Sequence, residues 1–209
     1  VTSEENGSLE PAESRQQSFA FDDGAGTPQS FAEQSAVRAI GLAAAHAVST
    51  GGGTIVAVLD TGIDPAHPAF AGRLLPGRDF VDDDADPTDA VNGRDDDGDG
   101  RTDEAWGHGT HVAGLVALVA PGAQILPVRV LDADGRGDVQ SVAAGIRWAV
   151  AQGADVLNLS LGAPKSSDAI SDALEHLEDQ GIVVLASAGN WGAEQPQEFP
   201  ARSSMAHAI

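Results

Sequence analysis

The chain contains no cysteine in its 209 residues. That excludes disulfides, thiol catalysis and Cys-ligated zinc or iron–sulfur centres. Basic residues are scarce: 11 Lys and Arg stand against 32 Asp and Glu, a formal charge of −21. Phosphate and anionic lipid call for a cationic face, so neither nucleic acid nor a membrane surface is an expected partner. No apolar run reaches the ~18 residues that a membrane-spanning helix needs. No basic-then-apolar leader is present either, so any targeting segment is expected to lie outside this sequence. What is there is globular in character. Apolar residues make up 42%, and the length suits one domain, or one domain plus a tail.

Residues 1–30 are rich in Ser, Gln, Glu, Gly and Pro and show no apolar period. They read as a disordered tail or the end of a pro-segment, with the folded part spanning 31–209. Phe31–Val48 has a helical, Ala-rich pattern that stops at Gly51-Gly52-Gly53. Thr54–Asp60 (TIVAVLD), Gln124–Leu131, Asp155–Leu161 and Ile182–Ser187 are short apolar runs, as expected of strands buried on both faces. Between them lie helical patterns: Gly107 onward to a stop at Pro121-Gly122, a segment capped by Asp138 and closed by Gly153, and Ser167–Gln180. The alternation predicts an α/β fold with a parallel sheet and flanking helices. In such sheets the functional loops follow the carboxyl ends of the strands.

Those loops carry chemistry. Asp60 ends one strand, His108 opens a helix, and Asn190 follows Ile182–Ser187. An Asp to orient and charge-balance a His, a His to act as base, and an Asn amide to donate to an oxyanion are three of the four parts of serine-based acyl transfer. The segments Val56–Asp64 (VAVLDTGID) and Gly107–Gly114 (GHGTHVAG) resemble the Asp and His signatures of the subtilisin-like serine proteases. Ala186–Asn190 (ASAGN) resembles that family's oxyanion segment, and the likeness runs from about residue 34 to 201. The resemblance implies a subtilisin-like α/β fold, serine endopeptidase activity on polypeptide substrates, a pro-segment and secretion. It further implies that Gly135-Arg136-Gly137 and Ser160-Leu161-Gly162 are edges that pair with substrate main chain. Ser187 and Ala188 would form a wall of the primary pocket. The small residues around that pocket leave room for an apolar side chain.

The nucleophile departs from the family pattern. Ser204-Met205-Ala206 matches the family's S-M-A in part, but Arg202 and Ser203 replace the expected Gly and Thr, and the match follows Asn190 too closely. The stretch after Phe199-Pro200-Ala201 reads as the approach to another strand. The chain is therefore expected to be C-terminally incomplete, to end before its serine motif, and to be inactive alone. The alternative is a non-catalytic, calcium- or peptide-binding remnant of the fold.

The charge is also concentrated. Residues 82–104 hold 11 acidic residues against two Arg. Within them Asp95, Asp97, Asp99, Gly100 and Asp103 follow D-x-D-x-D-G-x-x-D, with the Arg101 carbonyl at position 7 of an EF-hand-like loop. Position 12 is Trp106, so a bidentate ligand would come from Glu104 or elsewhere. Oxygen ligands of this kind favour calcium. The run Asp82–Asp89 reads as a solvated acidic loop, His67 as a turn residue, and His111 as a packed structural histidine.

Overall fold

The computed structural model describes residues 8–11, 35–189 and 198–209. Its centre is a six-stranded, wholly parallel sheet. The strands are β2 (Ile55–Asp60), β3 (Arg78–Asp79), β4 (Gln124–Arg129), β6 (Val156–Leu159), β8 (Val183–Ala186) and β9 (His207–Ala208), in the order β3-β4-β2-β6-β8-β9. The α/β parallel architecture expected from the strand–helix alternation is the one observed.

Near-continuous apolar runs make these strands because both sheet faces are covered. On β2, Ala57 and Leu59 face a large cluster with Leu126, Val128 and Leu157. That cluster is closed by Val142, Ile146 and Ala149 of α4 (Val139–Ala151) and Ile170 and Leu174 of α5 (Asp168–Leu174). Val58 points the other way, to Ile125, Phe70 and to Ala113 and Ala117 of α3 (His108–Val119). The side-chain period of two in a strand accounts for this division.

The predicted helix ends hold where a cap was legible. Asp138 caps α4, accepting from the backbone N–H groups of Gln140 and Ser141. Two long helices expected from the pattern are instead broken. The 31–48 stretch forms α1 (Ser35–Ala39) and α2 (Leu42–His46), separated by Gly41 at φ 68°. The 167–180 stretch forms α5 and then a 3-10 turn at Glu178–Gln180, with His176 between them at φ 65°. A left-handed residue stops the i→i−4 ladder at each break.

A second, three-stranded sheet sits beside the first. Within the stretch expected as tail or pro-segment, Ser8–Pro11 forms β1, which lies between β5 (Gly137–Asp138) and β7 (Leu161–Gly162) and is antiparallel to both. Leu9 is fully buried in the large core cluster.

Candidate active site

The parallel strands end on one edge, and Asp60 and His108 meet there. Asp60 is the last residue of β2, beside Arg129 of β4 and one residue past Leu59, the partner of Leu159 on β6. His108 is the first residue of α3. Although 48 positions apart in sequence, His108 Nδ1 and Asp60 Oδ1 lie 2.7 Å apart. An ionised carboxylate only accepts, so Nδ1 carries the proton and Nε2 is the basic nitrogen. Asp60 is 1% exposed, and the His108 side chain 15%. The Thr61 N–H also donates to Asp60 Oδ1, at 2.7 Å. Close approach of α3 to β2 depends on Gly109. A Cβ there would collide with the Gly62 carbonyl oxygen and come within 3.1 Å of Asp60 Oδ1.

A second buried carboxylate braces this pair. Asp89 Oδ2 accepts from the Thr61 hydroxyl at 2.9 Å and from the Gly107 N–H at 2.8 Å. Thr61 Oγ1 in turn accepts from the Gly109 N–H at 3.1 Å. One carboxylate thus ties the residue after Asp60 to the residues flanking His108. The Trp106 indole N–H adds a bond to the Asp89 carbonyl. Asp89, expected in a solvated acidic loop, is buried. The D-T-G motif offered the only hint, because Thr61 is the link. Burial pushes the Asp89 carboxyl above its ordinary value, against the opposing bonds from Gly107 and Thr61, and nearby Asp60 pushes the same way.

The two segments expected from the resemblance to pair with substrate main chain flank β1. Gly137 faces Leu9, Gly162 faces Glu10 and Leu161 faces Pro11. Gly135 and Arg136 form the turn before β5, where Asp132 Oδ1 accepts from the Arg136 N–H. Ser160 joins β6 to β7 and accepts from the Asn158 amide at 2.9 Å. Ser187 and Ala188 prolong β8: the Ser187 N–H reaches the Leu159 carbonyl and its hydroxyl reaches that of Leu161. Asn190 lies outside the described residues. Ser204 enters β9 from its amino side, within a turn before His207, whereas Asp60 lies at the carboxyl edge. His111, expected to be packed, is exposed on α3.

The acidic loop divides into two parts. Carboxylate oxygens of Asp95, Asp97 and Asp99 lie within 4.8 Å of one another. Asp95 accepts from the N–H groups of Gly98, Asp99 and Gly100, which folds the loop around it. Asp103 turns away, accepting from the Asn92 and Gly93 N–H groups. The Arg101 side chain lies 3.9 Å from Asp99. Desolvation, then the charges of Asp99, Asp134 and Asp97, raises the Glu104 carboxyl, so Glu104 sits in the field of the cluster. Buried Asp134 accepts from the N–H groups of Asp96 and Asp103, fastening the loop to the turn that leads into β5.

Fold and site define an α/β scaffold built around an Asp–His pair with a small three-stranded sheet beside it. Residues 51–209 match the model of the subtilase family, peptidase S8. Thermitase of Thermoactinomyces vulgaris is 40% identical over 172 residues, which is 78% of this chain and 56% of thermitase. Subtilisin BL of Lederbergia lenta is 39% identical over 169 residues, 77% of this chain and 56% of that protein. Fervidolysin of Fervidobacterium pennivorans, a keratinolytic enzyme related to subtilisin, superposes with a TM-score of 0.60 at 32% identity, over 75% of this chain and 24% of that one. The chain belongs to the subtilase family. It spans little more than half the length of thermitase and subtilisin BL.

The raised Asp89 carboxyl makes a pH prediction. A carboxyl raised on folding contributes stability that is present below its unfolded value and is lost as pH rises through the folded one. Asn at this position can accept the same two bonds without the charge. The stability of Asp89→Asn relative to wild type, from urea unfolding at a series of pH values, should therefore rise from acid to neutral pH. A difference that is flat with pH contradicts the assignment.

Proposed function

We propose that this chain carries the base, its orienting carboxylate and the peptide-binding cleft of a subtilisin-type serine endopeptidase. The observation that carries this reading is the 2.7 Å bond from His108 to buried Asp60 at the carboxyl edge of the sheet. In the reaction, His108 Nε2 takes the proton of an attacking serine and returns it to the leaving amine. Asp60 holds the ring in the required tautomer and balances its positive charge. Asn190 is assigned the oxyanion donor from its motif. The nucleophile is a serine other than Ser204, whose approach to β9 from the amino side supports that choice.

The substrate enters as a strand between β5 and β7, contributing main-chain bonds on both sides. Residues Ser8–Pro11 lie there now, and we read them as the end of a pro-segment held like a substrate, anchored by Leu9. The alternative, a peptide-binding protein without catalysis, draws on the same strand and differs only in lacking a reactive serine. Secretion is part of the reading, consistent with the absence, among the described residues, of a helix long and apolar enough to cross a membrane.

Calcium is assigned to the loop before His108. Three carboxylates within 4.8 Å, all oxygen donors on a turn closed by backbone N–H groups, fit a hard cation. Asp95, Asp97 and Asp99 would hold it, with the Arg101 carbonyl and Glu104 as further candidates. Asp103 lies outside this group of carboxylates. The ion would neutralise the cluster and stiffen the segment leading to His108.

Two measurements test these assignments. A serine-directed phosphonate applied to the full-length protein should label one serine, not Ser204, and labelling should fall by about 10³-fold or more in His108→Ala. No labelling favours the non-catalytic reading, and labelling of Ser204 overturns the choice of nucleophile. Millimolar calcium should raise Tm in wild type and not in the Asp95→Asn, Asp97→Asn, Asp99→Asn triple variant. An equal response in both removes the metal assignment.

A further inference from the structure

Arg129 is a buried cation, 6% exposed, that the catalytic reading leaves without a task. It stands in a row of charges that crosses three strands. In the parallel register Asp79 of β3 pairs with Arg129 of β4, and Arg129 pairs with Asp60 of β2. Side chains alternate between the two faces along a strand. Val58 and Ile125 lie in the cluster under α3. Asp60 and Arg129 follow them on the same strands at even spacing, so both face α3, the helix that opens with His108. The Asp60 carbonyl accepts from the Val130 and Leu131 N–H groups at 2.9 and 3.2 Å, which holds the two strand ends together at this row.

Arg129 Nη1 donates at 2.6 Å both to Asp79 Oδ2 and to Asp82 Oδ2. Asp79 Oδ1 accepts from the Val81 and Asp82 N–H groups, and the Asp79 N–H donates to the Asp84 carbonyl at 3.0 Å. One guanidinium therefore fastens the start of the segment 79–89 to the sheet. The far end of that segment is the Asp89 brace. There the Ile63 N–H donates to the Pro87 carbonyl at 3.0 Å, and the Asp89 N–H to the Ile63 carbonyl at 3.1 Å. The Asp89 carboxylate holds the Thr61 hydroxyl and the Gly107 N–H. The segment is a strap, with one end on Arg129 and the other on the neighbours of Asp60 and His108.

The charges call for the same cation. Asp60, Asp79 and Asp89 are all buried, and Arg129 is the only buried Lys or Arg among the described residues. Buried carboxylates without a counter-charge are costly. Burial works against the guanidinium charge, and the bonds to Asp79 and Asp82 outweigh it. The field of Arg129 reaches the site. Burial raises the Asp89 carboxyl, and the Gly107 and Thr61 bonds and the Arg129 charge pull it back. Arg129 Nε and Asp60 Oδ2 are each buried without a hydrogen-bond partner among the described residues, so the row is completed at Asp60 by charge and not by a direct bond. We propose that Arg129 is a positioning residue for the Asp60–His108 pair, anchoring the strap that ends in Asp89 and balancing the carboxylates buried around the histidine. Its effect on rate rests on the peptidase reading above; its effect on the geometry of His108 does not.

The test compares Arg129→Met, which removes the charge and keeps much of the length, with Arg129→Lys, which keeps the charge, in the full-length protein. Met leaves buried Asp79 without its partner, so the double variant Asp79→Asn, Arg129→Met is made beside it to preserve the fold. In both Met variants the far-downfield His108 Nδ1 proton resonance should move upfield or vanish. Hydrolysis of a chromogenic peptide should show kcat lowered by about tenfold or more, with KM within about twofold of wild type. Arg129→Lys should restore the resonance and bring kcat to within about threefold of wild type. A merely structural role would lower Tm and leave the resonance and kcat of the folded protein unchanged, and that result overturns the proposal. So does an equal loss in the Met and Lys variants. If wild type hydrolyses nothing but the resonance is lost with Met and kept with Lys, the peptidase reading fails and the positioning role stands. If the double variant keeps the wild-type resonance, the positioning role is removed whatever the rate does.

Discussion

The carboxyl edge of the sheet is organised by one hydrogen bond, from His108 Nδ1 to Asp60 Oδ1. Making it requires a buried negative charge at the end of a central strand, which is costly unless donors surround it. The donors, the His108 ring and the Thr61 N–H, both meet Oδ1, while Oδ2 is buried without a partner among the described residues. Holding the ring there requires α3 to pack tightly against β2, and that is what Gly109 and the Asp89–Thr61 link provide. Gly109 of G-H-G-T-H thus serves an electrostatic purpose. It lets two backbones approach until a carboxylate and an imidazole meet with little solvent between them.

The large negative charge resolves into distinct uses. Asp60 and Asp89 are buried at the site. Asp79, also buried, shares the Arg129 guanidinium with Asp82 at 2.6 Å each. Asp134 is buried and accepts two backbone N–H groups from the acidic loop. Asp95, Asp97 and Asp99 are grouped near the surface. Because Asp134 precedes the turn into β5, the loop before His108 and strand β5 share an anchor.

Much of the architecture was legible in the sequence because strands covered on both faces must be apolar throughout. TIVAVLD, QILPVRVL, DVLNLSL and IVVLAS could be little else once helical patterns separated them. Asp60 and His108 were legible as strand-end and helix-start residues, and Asp138 as a cap. Other features carried no periodic signal. Ser8–Pro11 joins a sheet through its backbone, and only Leu9 is apolar, so it read as tail. The breaks at Gly41 and His176 depend on single left-handed residues inside good helical patterns. Asp89 looked like one more acid in an acidic run, since burial is decided by what folds over it.

The central claim is that Asp60 and His108 form a buried, directed pair in solution. Proton NMR of the ring N–H groups, with backbone-assigned His108, tests it most directly. The pair predicts a far-downfield, exchange-protected Nδ1 proton that disappears in Asp60→Ala and persists in Ser204→Ala, with both variants keeping wild-type circular dichroism. A resonance that survives Asp60→Ala, or none in wild type, would contradict the account.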